Sequence, residues 1–204
     1  MKNIKYLFQF ILIIFFVATS SSNLESNEYK IDNDHSFITF KIGHFNVGYV
    51  LGRFNTFGGH IIYNKEHIEN ASVAVKIDTI SIDTGVAKRD FHLRTAEFLD
   101  IFQFPEITFV SNKIELDKDN KHFLITGKLK IKNKERNISI RAKELGKTID
   151  PYEQKRIAFK GTAVLNRFDF GFDFDGRLKD NSPMIDENID VLIYLEAIKM
   201  EKKK

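Results

Sequence analysis

The chain has 204 residues, a formal net charge of +3 and no cysteine. The length favours one domain with a sizeable core, and the missing cysteine removes disulfides, thiolate metal sites, a cysteine nucleophile and a lipid-modified N-terminal cysteine together. Residues 1–22 carry two of the 31 basic residues and no acid, leaving 29 against 28. That balance gives no electrostatic reason to expect nucleic acid or an anionic membrane as partner.

In chain order, Lys2 and Lys5 precede the apolar run Leu7–Ala18, and the small residues Ala18–Ser22 follow. The run is short for a membrane span and has the pattern of a secretory signal peptide over 1–22, with an uncleaved anchor as the alternative. Residues 23–28 read as a flexible leader and 29–199 as one domain, with 200–204 a charged tail. Tyr29–Ile31 opens a strand. Ser36–His44 places Ile38, Phe40 and Ile42 on one face. Val47–Tyr63 is long for a strand and holds Gly48, Gly52, Gly58 and Gly59, which mark bends or close approaches. Ala71–Thr84 alternates through Val73, Val75 and Ile77, then slips in parity before Ile80, which predicts a bulge.

Arg89–Pro105 breaks the pattern. Phe91, Thr95, Phe98, Leu99 and Phe102 recur at helical spacing, so a short helical insertion is expected at about residues 86–100, and Pro105 blocks its continuation. Strands are expected again at Glu106–Leu116, His122–Lys132, Asn137–Leu145, Arg156–Asn166 and Ile189–Ala197. Asn166–Gly176 alternates Phe168, Phe170, Phe172 and Phe174 with charged or small residues. The chain therefore reads as all-β, about eight strands with short turns, and closure into an antiparallel barrel removes exposed edges. Such a barrel either fills its interior or holds one small ligand. The apolar surplus near the insertion favours a cavity, with a homodimer interface as the other use of that surface.

Hydrolase and nucleotide-binding signatures are missing: no G-x-S-x-G, H-E-x-x-H, G-x-G-x-x-G or Walker loop occurs. The six histidines are scattered and give no metal-site spacing. Arg89 and Asp90 stand side by side at the start of the insertion. They read either as an ion pair or cap pinning it to the barrel, or as a cationic group meeting an anionic head group at a pocket mouth, with Lys88, His92 and Arg94 nearby. Arg167 beside Phe168 carries the same ambiguity.

Several segments together resemble the YceI-like family of bacterial periplasmic polyisoprenoid-binding proteins. They are YKIDNDHSFITFKIGH (29–44), GRF (52–54), SIDT (81–84), RDFHLRTAEFLD (89–100), FPEITFVS (104–111), ITGKLKI (125–131) and NRFDFG (166–171), in that order. The resemblance implies an eight-stranded lipocalin-like barrel around an apolar tunnel, a periplasmic address and an isoprenoid ligand. That ligand would be a polyprenyl chain, a quinone precursor or a polyprenyl phosphate. It implies no catalytic residue and no cofactor. One departure is Asn133, standing where such proteins commonly have glycine; asparagine also adopts the left-handed conformation.

The expected tunnel wall, with direction inferred from strand parity, is Phe40, Phe54, Ile77, Phe91, Phe98, Phe109, Ile125, Phe159, Phe168 and Ile193. His35, His44, Arg89, Asp90, His92 and Arg167 are expected as head-group or structural polar residues. The reading is a non-enzymatic carrier making transient membrane contact. Two alternatives remain: an enzyme on a prenyl substrate using His35 or His92 as acid/base, and a filled-barrel stress-response or interaction protein.

Overall fold

The first strand of the barrel and the last are hydrogen-bonded to each other, and this closes the sheet. The structure is a computed structural model that describes residues 27–119 and 121–201. The expected signal peptide and residues 23–26 of the expected leader lie outside those residues. Eleven strands are formed: β1 (Asn27–Ile31), β2 (Phe37–His44), β3 (Gly48–Phe54), β4 (Phe57–Tyr63), β5 (Ser72–Asp78), β6 (Ile82–Asp83), β7 (Glu106–Leu116), β8 (Phe123–Ile131), β9 (Lys134–Ile149), β10 (Lys155–Asn166) and β11 (Ile185–Lys199). Among the described residues a single α-helix, α1 (Ala87–Leu93), lies between β6 and β7. β1 starts two residues inside the expected leader.

Three pairs of strands are halves of one run. β1 and β2 are split by a 3-10 turn at Asn33–His35, and both pair antiparallel with β11. β3 and β4 pair with β2 and β1 in turn. β5 and β6 are split by the turn Thr79–Ser81, which accounts for the parity slip between Ile77 and Ile80. The result is a closed antiparallel barrel of eight runs with one short helix, as the alternation and the family resemblance imply. One end, here the terminal end, carries the first residue of β1, the last of β11, the connections 64–71 and 150–154, and the passage from β7 to β8. The other, here the loop end, carries 45–47, 84–105, 132–133 and 167–184.

Alternation sets what faces inward. Successive inner residues are Ile38, Phe40 and Ile42 on β2, Val73, Val75 and Ile77 on β5, and Ile138, Ile140 and Ala142 on β9. On β7 the inner row switches from Ile107 and Phe109 to Ile114 across a bulge between Ser111 and Lys113. Two inward positions are glycine for a steric reason. A Cβ on Gly52 would lie 2.2 Å from the Phe40 ring, and one on Gly127 would lie 2.6 Å from the Phe109 ring. Both rings thus lie flat over backbone that a side chain would occupy.

Three local expectations are corrected. The helix is seven residues long rather than spanning 86–100, because its hydrogen-bonding ends early: Arg94 N–H reaches both Asp90 and Phe91 carbonyls, and the Thr95 hydroxyl donates to the His92 carbonyl at 2.8 Å. The chain then continues in turns, with Asp100 at φ 50°. Asn166–Gly176 is not an alternating strand. The Asn166 side chain accepts from Phe168 N–H and caps a 3-10 turn over Arg167–Phe170, which Gly171 ends at φ 74°. At the β8–β9 turn the left-handed residue is Lys132 (φ 56°), not Asn133.

Candidate functional site

The barrel encloses a cavity of about 460 Å³. It reaches from Tyr63, Ala71 and Phe123 near the terminal end to Phe98, Phe174 and Ile185 at the loop end. Every run contributes branched or aromatic side chains, so the wall is almost wholly apolar. Near the terminal end Tyr63 forms edge-to-face contacts with Phe123 and Phe159 at 5.9 and 5.1 Å. Its hydroxyl donates to Glu144 Oε2 at 2.6 Å. Burial, then this bond, pushes the Tyr63 pKa well above the ordinary phenol value. The phenol therefore stays protonated, its hydroxyl held by Glu144.

Of the ten expected wall residues, Phe40, Phe54, Ile77, Phe98, Phe109, Ile125, Phe159 and Ile193 line the cavity. Phe91 and Phe168 do not. Phe91 is 72% exposed: with the helix ending at Leu93, the inward face is Arg89, His92 and Leu93 at i, i+3 and i+4, and Phe91 falls opposite. Phe102 is likewise exposed, so half of the insertion's four phenylalanines point to solvent. Phe168 is displaced by the 3-10 turn and stacks under the Arg167 guanidinium at 4.0 Å. Sequence reasoning missed Phe123, Phe172, Phe174, Leu93 and Leu99 as cavity or core residues; the capping signal Asn166…Gly171 was the clue to the true phase of the phenylalanine run.

The polar candidates divide. His44, Arg89, His92 and Arg167 line the cavity, all at the loop end. His92 is also solvent-exposed, so the cavity meets the surface there. Asp90 is buried but faces the chain: one carboxylate oxygen accepts from Thr84 N–H at 2.8 Å and from its hydroxyl at 2.6 Å. Arg89 donates from Nε to Thr84 Oγ1 at 2.7 Å and from Nη2 to Thr84 O at 2.9 Å. The expected Arg89–Asp90 ion pair is thus replaced by a shared grip on Thr84, which ties α1 to the end of β6. Arg94 turns away from the cavity and donates to the Ile82 carbonyl.

His35 lies at the other end, outside the cavity. Its Nδ1 is 2.9 Å from Asp32. With Glu196 this trio offers three ligand atoms within 4.8 Å, but Arg156 Nη1 already sits 2.6 Å from Asp32 and 2.7 Å from Glu196. A cation is therefore built into the cluster, and the arrangement reads as a structural hub. Arg156 Nε also meets Asp150 at 2.6 Å.

Among the described residues no helix is long and apolar enough to cross a membrane. Residues 29–197 match the family model described as the YceI-like domain. A UPF0312 protein of Shewanella sp. strain ANA-3 is 38% identical over 150 residues, covering 72% of this chain and 78% of that protein. One from Pseudomonas paraeruginosa is 37% identical over the same coverage. Among solved structures, the YCEI protein of Campylobacter jejuni superposes with a TM-score of 0.66 at 26% identity, covering 78% of this chain and 90% of that one. Two more distant structures share the fold: Burkholderia cenocepacia BcnA (TM-score 0.69, 19% identity, 81% and 98% coverage) and a polyisoprenoid binding domain from Saccharophagus degradans (0.61, 13%, 84% and 98%). By the extent of the family match and the identity to these relatives, the chain belongs to the YceI-like family.

Proposed function

We propose that the protein is a periplasmic carrier that holds an isoprenoid lipid inside its barrel. The observation that carries this reading is the cavity itself: a long, branched-and-aromatic lumen, open at the loop end. Such a wall suits a chain of isoprene units, which needs shape and no hydrogen bonds. Burial of about 0.8 kcal/mol per methylene supplies the affinity. The name given to the Saccharophagus domain, a polyisoprenoid binding domain, agrees with it. The basic start, short apolar run and small-residue stretch of 1–22 support export and a periplasmic site of action.

Binding is favoured over catalysis by the composition of the wall. Among the described residues it contains no carboxylate, serine or lysine, and its one hydroxyl residue apart from Tyr63, Thr39, is committed to the Leu192 carbonyl at 3.0 Å. The test is organic extraction of the protein purified from its native host, followed by mass spectrometry. An isoprenoid in near-stoichiometric amount is expected. An empty extract, together with no binding of added polyprenols or quinones, would sink the carrier reading.

A further inference from the structure

We infer that the loop end of the cavity is an oxyanion subsite, so that the ligand is an apolar chain ending in an anionic head group rather than a neutral one. The inference rests on the isoprenoid reading and narrows it. Among the described residues four ionisable groups besides Tyr63 line the cavity, and all four are basic types: Arg89, Arg167, His44 and His92. Among the described residues no Asp or Glu side chain lines it, although His92 Nε2 meets Glu97 at 2.7 Å beside it. The four come from different parts of the chain, the end of β2, helix α1 and the β10–β11 connection, yet converge on one end.

The two guanidiniums hold donors in reserve. Arg167 is only 3% exposed. Its Nε donates to the Asp186 carbonyl at 3.0 Å and its Nη1 to the Phe172 carbonyl. Its partners are carbonyl dipoles and the face of Phe168, and no carboxylate pairs with it among the described residues. Asp175, Glu187 and Asp173 act on it only through space, and burial pulls its pKa down from the ordinary value. Arg89 spends Nε and Nη2 on Thr84 and likewise has no carboxylate partner among the described residues. A guanidinium has five N–H donors, so each arginine keeps three that the described residues do not use. A buried cation without a counter-charge is costly. An oxyanion arriving on the end of an apolar chain supplies both the charge and the acceptors, in the geometry that arginine matches best. A neutral quinone or alcohol head supplies acceptors but leaves the charge uncompensated.

Phosphate, diphosphate and carboxylate heads share this chemistry, and one titration series separates them. Dissociation constants are measured for geranylgeranyl diphosphate, geranylgeranoic acid and geranylgeraniol, which carry the same chain, on the wild type, Arg89→Gln, Arg89→Lys and Arg167→Gln. The diphosphate is expected to bind about ten-fold or more tighter than the alcohol, with the advantage shrinking as salt is raised. The acid falls at the diphosphate's affinity if one charge suffices and near the alcohol's if a phosphate is required. Arg89→Gln should remove most of the advantage, read as the ratio of diphosphate to alcohol affinity within that variant, and Arg89→Lys should keep part of it. Alcohol binding also certifies that each variant is folded; if Arg167→Gln does not fold, the wild-type ratio and Arg89→Gln decide. Equal affinity of wild type for diphosphate and alcohol overturns the subsite and leaves the carrier reading standing. Binding of none of the three overturns both.

Discussion

Ala142→Leu should shorten the lumen without harming the barrel. Ala142 is 5% exposed, lines the cavity on β9, and is paired with Phe123 on β8 and Gly161 on β10, toward the terminal end. The neighbour at Gly161 leaves room on one side, so three added carbons enter the lumen and displace a similar length of ligand tail. At about 0.8 kcal/mol per methylene the loss is about 2.4 kcal/mol, or a roughly 60-fold weaker dissociation constant for a long isoprenoid. A short isoprenoid whose tail stops before Ala142 should lose little. Lys143→Leu, on the outward-facing next residue, is the control. The assay is displacement of a fluorescent prenyl ligand by isoprenols of increasing length, with a thermal melt of each variant. An unchanged affinity for the longest isoprenol in a folded Ala142→Leu protein would refute the placement of the tail in this lumen.

The corrected insertion makes a paired prediction: Phe91→Ala changes stability by less than about 0.5 kcal/mol and leaves isoprenoid affinity intact, whereas Phe98→Ala weakens binding in the same titration. Ile157, 1% exposed and outside the cavity wall, anchors the core near the terminal end; Ile157→Ala should cost about 3 kcal/mol in urea unfolding while ligand affinity in the folded protein is kept. Arg156→Leu strands the carboxylates of Asp32, Asp150 and Glu196 and should cost about 2 kcal/mol at pH 7. Its pH dependence has a definite sign. Burial opposes ionisation of Asp32, but hydrogen bonds from Arg156 and then His35 hold its carboxyl below the usual value; Asp150 is held down first by Arg156. Depressed carboxyls contribute stability that is present above about pH 4 and is lost as pH falls through their folded values. The gap between wild type and Arg156→Leu, followed by denaturation from pH 7 to pH 3, should therefore narrow; a gap that widens on acidification refutes the hub.

Much of this fold was legible because its physics is local. Strand parity places Ile38, Phe40 and Ile42 on one face wherever the strand ends, Gly52 marks a real close approach, and the slip after Ile77 marks a real interruption. Failures arose where one residue changes the period. A helix cut at Leu93 throws Phe91 outward, though a longer helix would have put it beside Phe98. Asn166 and Gly171 turn a period-two phenylalanine run into a 3-10 turn, sending Phe168 away from Phe172 and Phe174. The grip of Arg89 and Asp90 on Thr84 was hidden for another reason. Adjacent opposite charges suggest each other as partners, and only the path of the chain brings a threonine between them. The Arg156 hub joins Asp32 to Glu196 across the whole sequence, and no spacing rule reaches that far.

The pairing of Tyr29 with Lys199 and of Ile31 with Ala197 also dictates the order in which the molecule is completed. β11 is the strand on which β10, β1 and β2 all hang, and among the described strands it is the last to emerge in synthesis. Until it does, the half-made sheet has two raw margins and no lumen, because contacts between the chain's extremes close the largest possible loop. Among the described residues three pairs fasten β1 to β11 and seven more fasten β2 to it, and Arg156 bridges the same region from β10. This two-part seam, with its ionic clasp, is where the sheet closes on itself. Loss of β11 would take the partner from β10 and from the β1–β2 run at once and leave an open sheet.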